Sequence, residues 1–484
     1  MKTLLNKAAI GFLESYPLLF YILIWIFNPS NKLALFLSLV FLVILAFKLK
    51  HLPTASYFTY LATLILPMGK KYTVVLHDLR EFPTLKIFYP LGLFTDVTIS
   101  ISDVIFSIFV LNLIIDLFRN SFKQLKAKKF EPLDILVVAF FSYGVFADLS
   151  SSTRPILSLV LKKELFEIII VYLSLRFYFK QTSTFIYSLI LILSTIVFFE
   201  SFIAIQQFII SSPLGKNFEV FHSIEVFGGV ADELVFTFRP LGTFSHANTL
   251  GLFLASLLPL IFFFFLKKSS FFIIPISFFF GLASLILTLS RSAWFAFFVA
   301  ISYLLFIMER RLKINLLKYL SLKKFALFTI IFLPLLVYLL PRVARTVYST
   351  QESGGLSLRI KQVSESMGLL TSHPLTGVGT GMSVVKMIER NWQGVFASFP
   401  SAVHNYYILL ALENGIPTLI LLAVIIFIAI KKLLSLKKSF AYTCIGSLYV
   451  ILLGAIFQPF FNYQVFFMLL GINFGKIIDN VETV

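Results

Sequence analysis

Apolar runs with the length of a bilayer crossing recur along this chain, and they constrain its fold more than any other feature. They fall near residues 12–28, 33–49, 53–68, 99–118, 132–149, 156–178, 184–210, 246–266, 270–289, 292–308, 324–340, 404–430, 439–457 and 464–478. A helix needs roughly 17–25 apolar residues to cross the hydrocarbon core. Helices satisfy their own backbone hydrogen bonds there, whereas open strands do not. The pattern predicts an all-α polytopic membrane protein of about 12–14 transmembrane helices. Composition agrees: 58% of the 484 residues are hydrophobic and 13% charged, against about 45–50% and 25% in a soluble domain.

The formal net charge of +18 would suggest nucleic acid in a soluble protein. Here the basic residues serve topology instead, and no nucleic-acid partner is expected. With the basic segment Met1–Lys7 inside, the connections at 48–51, 119–129, 180–184, 267–268, 309–324 and 431–438 are inside too, as is the C-terminal end. Nearly every Lys/Arg cluster then lies on the cytoplasmic side, as the positive-inside rule requires. The first apolar run lacks a small-residue cleavage site and reads as a retained helix. The single cysteine, Cys444, cannot form an internal disulfide.

This topology puts four segments outside: Gly69–Ile99, Ser150–Pro155, Ser211–Ser245 and Pro341–Val403. The last carries Arg342, Arg345, Arg359, Lys361, Lys386 and Arg390 against Glu352, Glu365 and Glu389. A basic excess outside is either a solvated surface or a site for an anion. Ile360, Val363, Met367 and Leu370 recur at helical spacing, and Val385, Ile388 and Trp392 do so after a turn rich in glycine (Gly377, Gly379, Gly381). Two amphipathic helices along the outer interface are predicted, with Trp392 as an anchor.

Two further polar clusters reach the same face. Arg239-Pro240-Leu241-Gly242-Thr243-Phe244 leads through His246 and Asn248 into a helix, and helix N-termini favour anions. Ser290-Arg291-Ser292 sits in a tight turn between two apolar runs, where a charge is costly unless it faces a polar cavity or a partner. Arginine suits a diphosphate because its planar fork makes paired, charge-assisted bonds. Arg239, Arg291 and one of Arg342, Arg345 or Arg359 are candidates for one such group. His404, at the start of an apolar run, is the candidate base, or else a helix cap. The outer segments hold no Asp-x-Asp pair or His/Glu cluster at ligand spacing, so no metal or other cofactor is expected. Asp148, Glu164 and Glu167 lie near Arg154, Lys162 and Lys163 and read as structural pairs, and Glu200 is left without a partner.

These residues resemble a known family. His404-Asn405 followed by Gly415-Ile416-Pro417 is similar to the His-Asn…Gly signature of the O-antigen ligase and polymerase superfamily, with Thr418 where a second glycine is usual. The segment Arg239–Asn248, the Ser290–Ala293 turn and His373-Pro374-Leu375-Thr376-Gly377-Val378-Gly379 resemble its other motifs. The resemblance implies a GT-C-like, metal-independent, inverting membrane glycosyltransferase. Such proteins move a glycan from undecaprenyl diphosphate to a lipid, glycan or protein acceptor on the outer leaflet of the bacterial plasma membrane. It carries diphosphate binding onto Arg239 and Arg291 and the base onto His404, and Arg359 of the loop is expected beside them from its charge. Asn405 is expected to orient that base, with His246, Asn248, Gly377 and Gly379 supporting the site.

The sequence divides into an N-terminal bundle (1–238), a catalytic region (239–430, including the loop 341–403) and C-terminal helices (431–484). Ligase and polymerase readings stand level, with a protein O-oligosaccharyltransferase third. A lipid-linked glycan transporter and a non-catalytic scaffold are the rivals from other classes.

Overall fold

A computed structural model describes residues 2–77, 93–119, 130–151, 155–219, 238–266, 272–310, 355–398 and 400–472. The apolar run 324–340, Arg342, Arg345 and the basic residues at 120–129, 267–268 and 311–324 lie outside these residues.

The chain is helical nearly throughout. The first helices are α1 (Lys2–Phe27), α2 (Asn31–Leu49) and α3 (Leu52–Thr63). A β-hairpin follows, of β1 (Gly69–His77) and β2 (Leu93–Ser100), antiparallel with Gly69 opposite Ser100. Next come α4 (Ile101–Arg119), α5 (Pro132–Ser151), α6 (Pro155–Leu161), α7 (Lys163–Leu173), a π-helical turn (Ser174–Tyr178) and α8 (Ser183–Ile210). The second half contains α9 (Ala247–Leu266), α10 (Ile273–Leu287), α11 (Arg291–Arg310), α12 (Gly355–Ser372), α13 (Ser383–Arg390), α14 (Val395–Ser398), α15 (Tyr406–Asn414), α16 (Ile416–Ser435), α17 (Ser439–Phe457) and α18 (Tyr463–Gly471).

Seven of these helices, α2, α4, α5, α8, α9, α16 and α17, are long and apolar enough to cross a membrane. α8, α9 and α17 are mostly buried and form the centre: α8 packs on α1 and α10, and α9 and α11 pack on α17. α2, α4 and α16 are mostly unburied and display Phe36, Phe47, Phe118, Ile420 and Phe427. Apolar surface on that scale is covered by lipid in a membrane protein, because water would not tolerate it.

Three departures from the sequence expectation matter. The segment 69–100, expected as an outer loop, is a hairpin, closed at its base where Ile101 N–H donates to Met68 O at 2.9 Å. The run 404–430, expected as one helix, breaks at Gly415 into α15 and α16, because Pro417 sits in the first turn of the second helix and cannot continue the first. The run 156–178 likewise breaks at Lys162.

The third departure lies outside the bundle. Residues 355–403 carry a small core of their own, with Leu369, Val378, Met382, Ile388, Phe396 and Val403 packed on Leu412 of α15. The predicted stripe on α12 is only half packed, through Val363 and Leu370. Ile360 and Met367 are exposed, while Gln362, Ser366 and Leu369 are buried. The helix therefore turns a partly polar face inward, toward the site.

Candidate active site

Arg239 precedes α9 and is buried, 6% exposed. Its Nε–H donates to Thr288 O at 2.7 Å and its Nη2–H to Asn248 Oδ1 at 2.5 Å. Thr288 ends α10 and lies three residues before Arg291, and Asn248 is in the first turn of α9, so the guanidinium joins the two predicted clusters. Asn248 N–H donates to His246 Nδ1 at 3.0 Å, which sets that ring at the mouth of α9.

The segment before α9 is irregular backbone inside the bundle, and its polar groups need partners. α8 supplies them. Gln207 Oε1 accepts from Leu241 N–H at 2.9 Å and Gly242 N–H at 2.8 Å, and its Nε2–H donates to Gly242 O at 2.9 Å. Glu200 Oε2 accepts from Thr243 N–H at 3.0 Å, and its Oε1 lies 2.6 Å from the Thr243 hydroxyl. Gly242 has φ +61°, and a Cβ there would strike the Glu200 carboxylate. Glu200, unexplained in the sequence, thus anchors the segment that carries Arg239.

The loop brings the other half. Arg291 starts α11 and is exposed, and Arg359 on α12 is half-buried. Burial and repulsion from Arg291 lower the Arg359 guanidinium below its ordinary value, which puts the two cations within electrostatic reach. His404 lies just before α15. Burial, then the positive charge of Arg359 and then His246, push its imidazole down to about 4. Arg239, His246, Asn248, Arg291, Arg359 and His404 therefore form one linked group, although 165 residues separate Arg239 from His404.

The residue that touches His404 is one the sequence reading missed. Its Nδ1 lies 3.2 Å from Gln362 Oε1. The Gln362 amide has a fixed sense, because its Nε2–H donates to Ser401 O at 3.4 Å and to the Ser401 hydroxyl at 3.1 Å. A carbonyl only accepts, so the nitrogen must face Ser401 and the oxygen must face the histidine. Nδ1 then carries the proton, and Nε2 is the ring's acceptor. Asn405, expected to orient His404, instead caps α15, its Oδ1 accepting from Ile408 N–H at 3.1 Å.

The glycine turn fastens the loop to the bundle. Gly377 has φ +66°, and a Cβ there would lie 2.5 Å from the backbone of Leu412 and Glu413. Val378 N–H donates to Leu412 O and Gly379 N–H to Glu413 O, each at 2.9 Å. Thr380 N–H donates to Asp148 Oδ1 at 2.8 Å, and Asp148, fully buried in α5, pairs with Lys162 Nζ at 2.7 Å. Lys163 pairs with Asp103 at 2.6 Å, and the Tyr60 hydroxyl donates to Glu167 at 3.0 Å. Arg154 lies outside the described residues.

Comparison with known proteins bears on this geometry. Residues 276–423 match the family model described as O-antigen ligase. No curated protein matches the chain. The matched residues contain Arg291, Arg359, Gln362, the glycine turn and His404. Arg239 lies ahead of them and is tied in through Thr288. The family description supports a multi-pass membrane protein that acts on glycans as a ligase or polymerase.

Proposed function

We propose, on the premise that this chain belongs to the O-antigen ligase/polymerase superfamily, that it is a metal-independent, inverting glycosyltransferase. It moves a glycan from undecaprenyl diphosphate to an acceptor hydroxyl at the outer face of the bacterial plasma membrane. The observation that supports this reading is the linked group in which Arg359 acts on His404, Arg291 acts on Arg359, and Arg239 joins through Asn248 and His246, beside a histidine whose Nδ1 faces Gln362.

The steps follow from the charges. The diphosphate lies against Arg239, Arg291 and Arg359, which stabilise the negative charge that grows on it as it leaves. The acceptor oxygen bonds to the anomeric carbon from the face opposite the breaking carbon–oxygen bond, so the anomeric configuration inverts. Its proton passes to His404 Nε2, and the electron pair of the broken bond stays with undecaprenyl diphosphate. Burial and Arg359 keep the imidazole neutral, the form that accepts a proton. A bound diphosphate offsets those cations and raises its basicity. The docked loop excludes water, which favours transfer over hydrolysis.

The test is transfer by purified full-length protein in lipid nanodiscs, using the lipid-linked glycan of its own strain. His404→Ala is expected to lose the product while keeping the wild-type melting temperature. Undiminished turnover would remove His404 as the base.

A further inference from the structure

The reaction so far accounts for the diphosphate and the proton, but not for where sugars sit. Two cavities, of about 390 and 550 Å³, meet along Leu64, Leu161, Glu164, Phe244 and Gln464. Each is within the range of about 300–1,000 Å³ usual for ligand sites. They lie among α3, α7, the start of α9, α15 and α18. Tyr406, two residues from His404, lines one wall, and so does Thr249, next to the Asn248 that holds Arg239. The cavity therefore lies near the site, reached through residues next in sequence to His404 and Asn248.

Its lining selects a ligand class. None of Arg239, Arg291 and Arg359 lines it, and its two ammonium groups, Lys162 and Lys163, are held in ion pairs by Asp148 and Asp103. Such a lining offers a diphosphate none of the paired, charge-assisted bonds that suit it. An acyl or polyprenyl tail would press hydrocarbon against the Glu164 carboxyl and the Gln464 amide, at a cost in desolvation. Glu164 lines both cavities and is exposed to them. The Glu164 carboxyl and the Gln464 amide can hydrogen-bond to hydroxyls, and the rings of Phe244, Tyr406 and Tyr463 offer apolar faces beside them. This mixture suits an uncharged polyol.

We infer that this cavity is a carbohydrate subsite, which receives uncharged sugar residues next to the bond that is exchanged. The inference rests on the glycan-transfer reading above. The sugars belong either to the lipid-linked donor or to the acceptor, and the chemistry of recognition is the same.

The test places a photo-crosslinking residue, p-benzoylphenylalanine, at Gln464 of the full-length protein in membranes of its own strain. Adduct masses are read after irradiation. Sugar-bearing adducts are expected. Their loss in a strain that makes no lipid-linked glycan assigns the subsite to the donor, and their persistence assigns it to the acceptor. The same label at Phe298, which is 70% exposed on α11, is the control and gives phospholipid adducts. Phospholipid adducts alone at Gln464, or none while the control reacts, overturn the subsite. Glu164→Gln and Gln464→Leu each raise KM for the lipid-linked glycan about tenfold, and binding of sugar-free undecaprenyl diphosphate is unmoved. Equal weakening of both lipids also overturns the proposal. Sugar captured at Gln464 without any transfer product counts against the reaction and leaves the subsite standing.

Discussion

Arg239 and Arg359 face the same task from opposite sides, and they are held in different ways. Arg239 is fixed inside the bundle by a backbone carbonyl and a side-chain amide, and α8 pins the segment around it through Gln207 and Glu200. Arg359 is carried on α12 of the outer loop, near another cation, and that loop is fastened to the bundle by its glycine turn and by Asp148. Gln362, on the same helix as Arg359, sets the tautomer of His404. In the proposed reaction the bundle holds the diphosphate through Arg239, and the loop orients the base through Gln362. A two-part site of this kind depends on the docking of the loop as much as on any single contact.

Substitutions separate the two halves. The largest loss is expected for His404→Ala, about 10²–10⁴-fold in transfer rate, the usual weight of a general base, with the melting temperature unchanged. Arg239→Lys comes next. A lysine cannot serve both Thr288 O and Asn248, so transfer falls about 10²-fold or more and thermal stability falls with it. Arg291→Lys keeps the charge at an exposed position and is expected to lower transfer about tenfold, or 1.4 kcal/mol, without any change in melting temperature. If the two lysine variants behave alike in a melting assay, the contrast between a fixed and an exposed arginine is wrong.

Gln362 sharpens the loop side. Gln362→Ala removes the bonds to Ser401 and the one to His404, and loss of the latter, about 1–1.5 kcal/mol, is roughly tenfold in rate. Gln362→Glu keeps the acceptor and adds a negative charge, so activity is retained and the acid limb of the kcat/KM profile moves up in pH. A merely structural glutamine would not move that limb. The smallest effect is that of pH on the unaltered protein. His404 is lowered below its ordinary value, to about 4, so it stays neutral and competent as the pH falls through 6.5. The kcat/KM of transfer is expected to stay level from pH 8 to 5 and to drop only near 4. A loss centred on 6.5 would show that Arg359 and burial do not act on the imidazole as described.

Much of this was legible in the sequence, and the remainder was not for physical reasons. Hydropathy runs located the helices because lipid demands length and apolarity, and Arg239, Arg291 and His404 stood out as polar groups near the ends of those runs, whereas Arg359 was one of three loop arginines the sequence left open. The hairpin was masked by its setting, since Thr73–Leu76 and Phe94–Ile99 lie between stronger helical signals. The break at Gly415 is invisible to hydropathy, although Gly415-Ile416-Pro417 announces it. Gln362 was passed over because α12 was read from its apolar stripe, as a helix lying along the outer interface. A helix that closes over a polar site also buries polar side chains, which apolar periodicity does not mark. Glu200 and Gln207 were illegible in the same way, because their partners are backbone groups of a distant segment.

The central claim is that the arginines and His404 act together on one lipid-linked glycan. Its most direct test is a single-turnover assay in sealed vesicles, with purified protein, donor lipid and no ion gradient. The account predicts a covalent glycan product of inverted anomeric configuration, lost in both Arg291→Ala and His404→Ala. Movement of intact donor lipid across the bilayer with no covalent product would contradict it and make the protein a transporter.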